Sequence, residues 1–188
     1  LETLREPMET GEITLSRTRQ RVTYPARFQL VAAMNPCPCG YLGDPEHPCR
    51  CTPQQVQQYR SRLSGPLLDR IDLHVAVNRI PPAELLSPGQ AGESSSAVRS
   101  RVTRCRQRQE CRQGCANAHL STDRLAAACR LAEREKAHLA SAAGRMRLSG
   151  RGVHRVLRVA RTIADLDGSD AVAMEHISEA LAYRQVAE

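Results

Sequence analysis

Apolar residues recur at helical spacing at the start of the chain, at Leu1, Leu4 and Met8, and Gly11 follows as a stop. Ile13 and Leu15 then alternate with polar neighbours, and Val22 and Tyr24 resume after a basic stretch, which predicts a β-hairpin with Arg17, Arg19 and Arg21 around its tip. The run 28–35, FQLVAAMN, is apolar at nearly every position, as a strand covered on both faces would be. Thr52 before Pro53 marks a helix N-terminus, and that helix is expected to reach about Leu63 before Gly65 and Pro66 break it. A short helical turn over Leu67 to Arg70 and an alternating strand over 71–77, IDLHVAV, complete the first part.

Beyond Asn78 the texture changes. Residues 79–96 are rich in Pro, Gly and Ser and read as a linker. Helical periodicity then dominates: an Arg-rich helix over 97–113, helices over 122–129 and 133–145, one capped by Ser149 and closed by Gly168, and a last from Met174 to about Val186. The predicted fold is an α/β remnant (hairpin, strands, helix) over 1–78, carrying a Cys-rich loop at 36–52, followed by an all-α domain over 97–188. The first helix has no N-terminal cap, so the chain is expected to enter it partway along.

Composition narrows this. With one Phe, four Tyr and no Trp, the core must come from Leu, Val, Ile and Ala, which suits helices better than a β-sandwich. No apolar run is long enough for a membrane span and the start lacks a signal-peptide layout, so no membrane partner and a cytoplasmic setting are expected. The net charge of +7 points toward a polyanion. Of the 27 basic residues only Lys136 is a lysine, so a compositional preference for Arg explains part of that charge.

Eight cysteines fall into two sets. Cys37, Cys39, Cys49 and Cys51 form C-x-C-x9-C-x-C, two close pairs on a short loop, a layout able to close a tetrahedron around Zn²⁺. His47 is a substitute ligand, and two unbonded pairs or a disulfide are the alternatives. Cys105, Cys111, Cys115 and Cys129 lie in helical stretches and read as packing residues. Arg99, Arg101, Arg104, Arg106, Arg108 and Arg112 are expected to wrap round their helix as a solvated surface. Arg151, Arg155 and Arg158 stand on one face of a later helix, opposite Val153, Val156, Leu157 and Ala160, and are also expected to be mostly solvated.

Three long runs carry a family resemblance: RFQLVAAMNPCPCGYLGD, RSRLSGPLLDRIDLHV and LSGRGVHRVLRVARTIADLDG. They resemble the ComM-type, magnesium-chelatase-like AAA+ ATPases, and the likeness extends from Leu1 to the YR at 183–184. The resemblance implies an ATP- and Mg²⁺-dependent motor that assembles with copies of itself as a hexameric ring and acts on DNA as a helicase or branch-migration factor in natural transformation. The related chelatase subunits instead act on a protein partner, and a free-standing zinc- and nucleic-acid-binding module is the third reading.

The resemblance also assigns roles. Asn35, at the end of its strand, matches sensor 1; by itself it reads as a turn residue before Pro36. Arg70 matches an arginine finger offered to a neighbour's nucleotide, with a salt bridge to Asp69 or Asp72 as the plainer role and Arg62 as a rival. Arg151 matches sensor 2 in what is read as a helical lid. Arg17, Arg19 and Arg21 would face a ring pore and meet DNA phosphates without reading sequence. No aromatic residue at the hairpin tip supports base stacking.

The chain contains no G-x-x-x-x-G-K-[ST] and no acidic strand-end motif to hold Mg²⁺. By the resemblance both belong upstream of Leu1. The purified chain is therefore expected to show no ATP turnover in a phosphate-release assay; measurable hydrolysis would contradict this.

Overall fold

Side-chain caps at Thr52, Ser64, Ser94 and Ser149 fix the starts of four helices. A computed structural model describes residues 1–17, 20–77, 79–80 and 92–184. The chain divides into two units, Leu1–Ile71 and Asp72–Glu188.

In the first unit a 3-10 turn, Glu2–Leu4, leads into α1 (Arg5–Thr10), which Gly11 ends in the left-handed region at φ 72°. β1 (Glu12–Arg17) and β2 (Gln20–Pro25) pair antiparallel, with Ile13 opposite Tyr24 and Leu15 opposite Val22. Thr14 and Thr23 meet across the pair through their hydroxyls at 3.1 Å. α2 (Pro53–Arg60) begins at a reciprocal cap: the Thr52 hydroxyl accepts the Gln55 N–H and the Gln55 side chain accepts the Thr52 N–H. α3 (Gly65–Leu68) is capped by Ser64, whose own N–H and hydroxyl donate to the Glu2 carboxylate.

Two expected strands do not form. Among the described residues the sheet has only β1 and β2, and 28–35 and 71–77 run without strand pairing. Val31 is 84% exposed and Val77 89%. A strand is stable only beside a neighbouring strand that takes its N–H and C=O groups in a ladder. Among the described residues no strand lies beside either run, and the 71–77 run has a bond from the His74 N–H to the Tyr183 carbonyl at 2.8 Å in place of a ladder. α2 also ends at Arg60 rather than near Leu63, and the helical turn expected over Leu67 to Arg70 begins earlier, at Gly65, where Ser64 caps it. The fold is thus a small antiparallel hairpin with short helices, followed by helices.

The second unit holds the core. Its helices are α4 (Ser95–Gln113), α5 (Thr122–Cys129), α6 (Glu133–Arg145), α7 (Gly150–Asp167) and α8 (Met174–Ala182). α4 starts two residues before the expected 97 because the Ser94 hydroxyl accepts the Ala97 N–H. α8 ends at Ala182, short of the expected Val186, which lies outside the described residues, as does most of the 79–96 linker. α7 is the central helix and packs on α4, α5 and α8. Val156, Leu157, Ala160 and Ala164 from α7 meet Leu125 and Cys129 from α5, Leu139 and Ala142 from α6, and Ile177 and Leu181 from α8. The small residues at 160 and 164 let the neighbouring helices approach closely.

His176 secures the start of α8. Its Nδ1 accepts the Ala173 N–H at 2.9 Å, so the proton resides on Nε2, which donates to Asp167 at 3.1 Å.

A buried polar cluster lies between α4 and α7. Arg161 is completely buried and Asp165 is 2% exposed. The Asp165 carboxylate accepts from Arg112 at 2.5 and 2.9 Å, from Arg161 at 3.0 Å and from Asn117 at 2.8 Å. Arg161 also donates to the carbonyls of Ala128, Ser169 and Asp170. Gln109 accepts the Asn117 N–H, so the turn after α4 is tied to the same cluster. Burial pushes the Asp165 carboxyl upward, but the hydrogen bonds from Arg112 and Asn117 and the charges of Arg161 and Arg112 outweigh it, and the net shift is below the ordinary carboxylate value. Since the folded value lies below the unfolded one of about 3.9, this stabilisation is present above that pH and is lost as pH falls through the folded value.

Asp165→Asn is expected to leave a buried guanidinium without its counter-charge and to cost about 3–5 kcal/mol. Urea unfolding followed by circular dichroism measures it, and the variant should lose stability less steeply than the parent below about pH 4. A loss under about 1 kcal/mol would mean the cluster is not a main support of the helical unit.

Candidate metal centre and candidate nucleotide-sensing residues

The loop after 28–35 is shaped by glycine and aspartate. Gly40 and Gly43 adopt φ of 83° and 84°, a region that side-chain-bearing residues rarely occupy. The Gly40 N–H donates to the Cys37 carbonyl at 3.1 Å, closing a turn across the first C-x-C pair. The Asp44 carboxylate accepts the N–H groups of Glu46 and His47, and the His47 ring stacks on Tyr41 with centroids 5.2 Å apart. Arg60 of α2 reaches the Pro36 carbonyl at 3.5 Å and ties the loop to that helix.

These turns bring the four cysteines together. Their sulfurs all lie within 4.8 Å of one another. Cys37 to Cys39 is 3.3 Å, and Cys37 and Cys39 each lie 3.6 Å from Cys49. A zinc tetrahedron with Zn–S bonds of about 2.3 Å has sulfur–sulfur edges of about 3.8 Å, so the four thiols fit that ion. All four cysteines are free rather than disulfide-bonded, and His47 is not among the converging ligands.

Backbone N–H groups of Tyr41 and Arg50 pull the Cys39 thiol down to about 6, whereas burial and the neighbouring Cys39 push Cys51 up to about 12. Cys37 also moves down and Cys49 up, so negative charge is favoured at the first pair and repels a further thiolate at the second. A divalent cation would relieve that repulsion.

Asn35 lies just ahead of this loop, exposed, with its amide close to Gly40. It follows an unpaired run rather than ending a strand, so its placement differs from the expected one. Arg70 follows α3, and its guanidinium donates to the Pro66 carbonyl at 2.7 Å and pairs with Glu9. Glu9 is thus a partner of Arg70 that the sequence, which offered Asp69 or Asp72, did not name. Arg62 is exposed and lies 5.9 Å over the Tyr59 ring. Arg17 and Arg21 are exposed at the ends of β1 and β2, and Arg19 lies outside the described residues.

In the helical unit, Arg151 is exposed in the first turn of α7, next to the Ser149 cap, whose hydroxyl accepts the Gly152 N–H. The other arginines of α7 are partnered within the protein rather than freely solvated. Arg155 pairs with Asp72 at 2.7 Å, Arg158 donates twice to the Leu120 carbonyl, and Arg161 is buried in the Asp165 cluster. Burial lowers the Arg158 pKa from its usual range, followed by repulsion from Arg155. The sequence reading missed Arg161, Asp165 and Asn117. The available signal was the i, i+4 spacing of Arg161 and Asp165 beside an otherwise apolar face.

Cys105 and Cys129 are buried packing residues, as expected, while Cys111 is exposed. Among the described residues no helix is long and apolar enough to cross a membrane.

Two family models match in succession: magnesium chelatase, subunit ChlI, over residues 1–85, and magnesium chelatase, subunit ChlI C-terminal, over residues 92–184. The chain is 44% identical to Competence protein ComM of Haemophilus influenzae over 98% of its length, and 46% identical to the uncharacterized protein YifB of Escherichia coli over 99%. A protein of Mycobacterium bovis, Mb2921c, is 42% identical over 98% of the chain. The chain spans about a third of the length of these relatives, 36% of YifB and ComM and 37% of Mb2921c. With both halves matched by models of one family and nearly every residue aligned to ComM, the chain belongs to the ComM-type, magnesium-chelatase-like family.

Proposed function

We propose that this chain is the C-terminal part of an ATP-driven AAA+ ring motor that remodels DNA during transformation and recombination in the cytoplasm. The observation that carries the reading is the near-complete alignment with a competence protein at 44% identity. The net charge of +7 and the exposed Arg17 and Arg21 on the hairpin support a polyanionic substrate.

In this reading residues 1–78 complete the ATPase core, 79–96 link it to the lid, and 97–188 form the lid. Asn35 orients the attacking water as sensor 1. Arg151 contacts the nucleotide as sensor 2. Arg70 leaves Glu9 and meets the γ-phosphate bound by a neighbouring subunit, where a fixed, planar cation stabilises the charge of phosphoryl transfer. Glu9 keeps this guanidinium oriented when no phosphate is present. The ATP and Mg²⁺ sites lie in the intact protein. Arg17, Arg19 and Arg21 contact DNA phosphates from the ring pore.

Zn²⁺ held by Cys37, Cys39, Cys49 and Cys51 has a structural role. Among the described residues outside the helical unit, only Pro7, Cys37 and Leu67 are buried. A segment with so small a core gains its rigidity from a metal cross-link. A motor acting on a protein partner is the second reading, favoured by the magnesium chelatase description of both matching models. ATP-driven strand exchange by the intact protein on a DNA substrate distinguishes the two.

Metal analysis of the chain purified under reducing conditions is expected to find one zinc per molecule, and Cys39→Ser and Cys51→Ser to lose most of it. A metal-free parent chain with an ordered loop would contradict the assignment. In the intact protein, Arg70→Ala is expected to lower ATP turnover by about 10³-fold or more with nucleotide binding and ring assembly retained. A merely structural Arg70 would instead lower the melting temperature and leave turnover per assembled ring within a few-fold of the parent.

A further inference from the structure

α4 is charged out of proportion to its packing. Along 19 residues it buries only Cys105 and Gln109, and it carries six arginines against one acid, Glu110. The arginines do not wrap evenly. At about 100° per residue, Arg101, Arg104 and Arg108 share an arc of about 60°, and Arg99 and Arg106 fall on another side. The first three line an open groove of about 550 Å³ whose far wall is the end of α7 at Leu166 to Gly168.

The present partners of these arginines are weak or partial. Arg104 has no hydrogen-bond or ion-pair partner among the described residues. Arg101 pairs with Glu93 at 2.6 Å, but both side chains are nearly half exposed, and such a pair contributes about 1 kcal/mol or less. Arg108 is anchored by one nitrogen on the Gly168 carbonyl at 2.7 Å, with Asp170 at 3.4 Å. The acids of the opposite wall are already engaged, Asp165 by Arg112 and Arg161, and Asp167 by His176.

The geometry points to this groove as a second contact for the phosphate backbone of nucleic acid, independent of the hairpin. It rests on the reading of the protein as a DNA-acting motor. Arg101 and Arg108 are about 10.5 Å apart along the helix, a span of about three phosphates at about 3.4 Å per strand charge. The occupant follows from what the groove offers. Guanidinium forks suit phosphate oxygens. No aromatic residue lines the groove to stack a base, so the contact reads no sequence. A protein partner would need an apolar centre to the interface, and Leu166 is the one large aliphatic side chain there.

The test is fluorescence anisotropy of the full 188-residue chain with a labelled 20-base-pair duplex of arbitrary sequence, at about 50 to 200 mM salt. R101Q/R104Q/R108Q is expected to weaken binding and to reduce the slope of log affinity against log salt by about 2–3. R101Q/R104Q keeps the Arg108 anchor on Gly168 and so tests the groove with the fold intact; it should reduce the slope by about 2. Unchanged affinity and slope in R101Q/R104Q, with binding lost in R17Q/R21Q, would overturn the groove and leave the DNA reading standing. No duplex binding by the parent chain would overturn the groove as a DNA contact in this chain. Tighter binding of a polyglutamate peptide than of the duplex would overturn nucleic acid as its occupant.

Discussion

A single buried carboxylate ties together most of the helical unit. Asp165 sits between Arg112 of α4 and Arg161 of its own helix, and Arg161 extends the link to the carbonyls of residues 128, 169 and 170. Taking these charges out of water carries a large penalty, and only full hydrogen bonding offsets it. Here the offset is nearly complete: Asp165 has four donors' hydrogen bonds, and Arg161 Nε is the one buried atom of that arginine without a partner. An apolar replacement could pack as well, but it would not fix the angle between α4, α7 and the loop into α8. The cluster therefore sets the geometry on which the apolar core of α5 to α8 is arranged, and it holds α4 where its outward arginines line the groove.

The N-terminal unit obeys the opposite constraint. It has little apolar burial, and its order comes from local devices: the Thr52 and Ser64 caps, the Glu2 contact to α3, the hairpin and the convergence of four thiols. The same cysteine chemistry that makes the free loop electrostatically awkward, several sulfurs competing for one negative charge, makes it a ready ligand set for a soft-accepting divalent ion.

How much was legible in the sequence depends on whether the deciding interaction is local. Thr52, Ser149, Gly11 and Gly168 mark their helix ends through bonds within a few residues, and those boundaries were readable. The C-x-C-x9-C-x-C spacing likewise announced a cluster that the loop does form. Residues 28–35 and 71–77 have strand-like patterns, but pairing needs partners at a distance, which pattern alone does not provide. Arg155 and Arg158 misled in the other direction, because charge was equated with solvent while their partners, Asp72 and the Leu120 carbonyl, are distant in sequence; Arg161, held by Asp165 and by the carbonyls of Ala128, Ser169 and Asp170, was passed over. The pairing of Arg70 with Glu9, 61 residues away, was unreadable for the same reason.

The two units are held by different forces, a metal-ready thiol cluster in one and a buried ion cluster within an apolar core in the other. Hydrogen exchange of the full chain, read by mass spectrometry with and without a zinc chelator, tests it most directly. Chelation is expected to strip protection from the Cys-rich loop and the start of α2 while α7 and α8 remain protected. Unchanged exchange in the loop, or a matching loss of protection in α7 and α8, would contradict it.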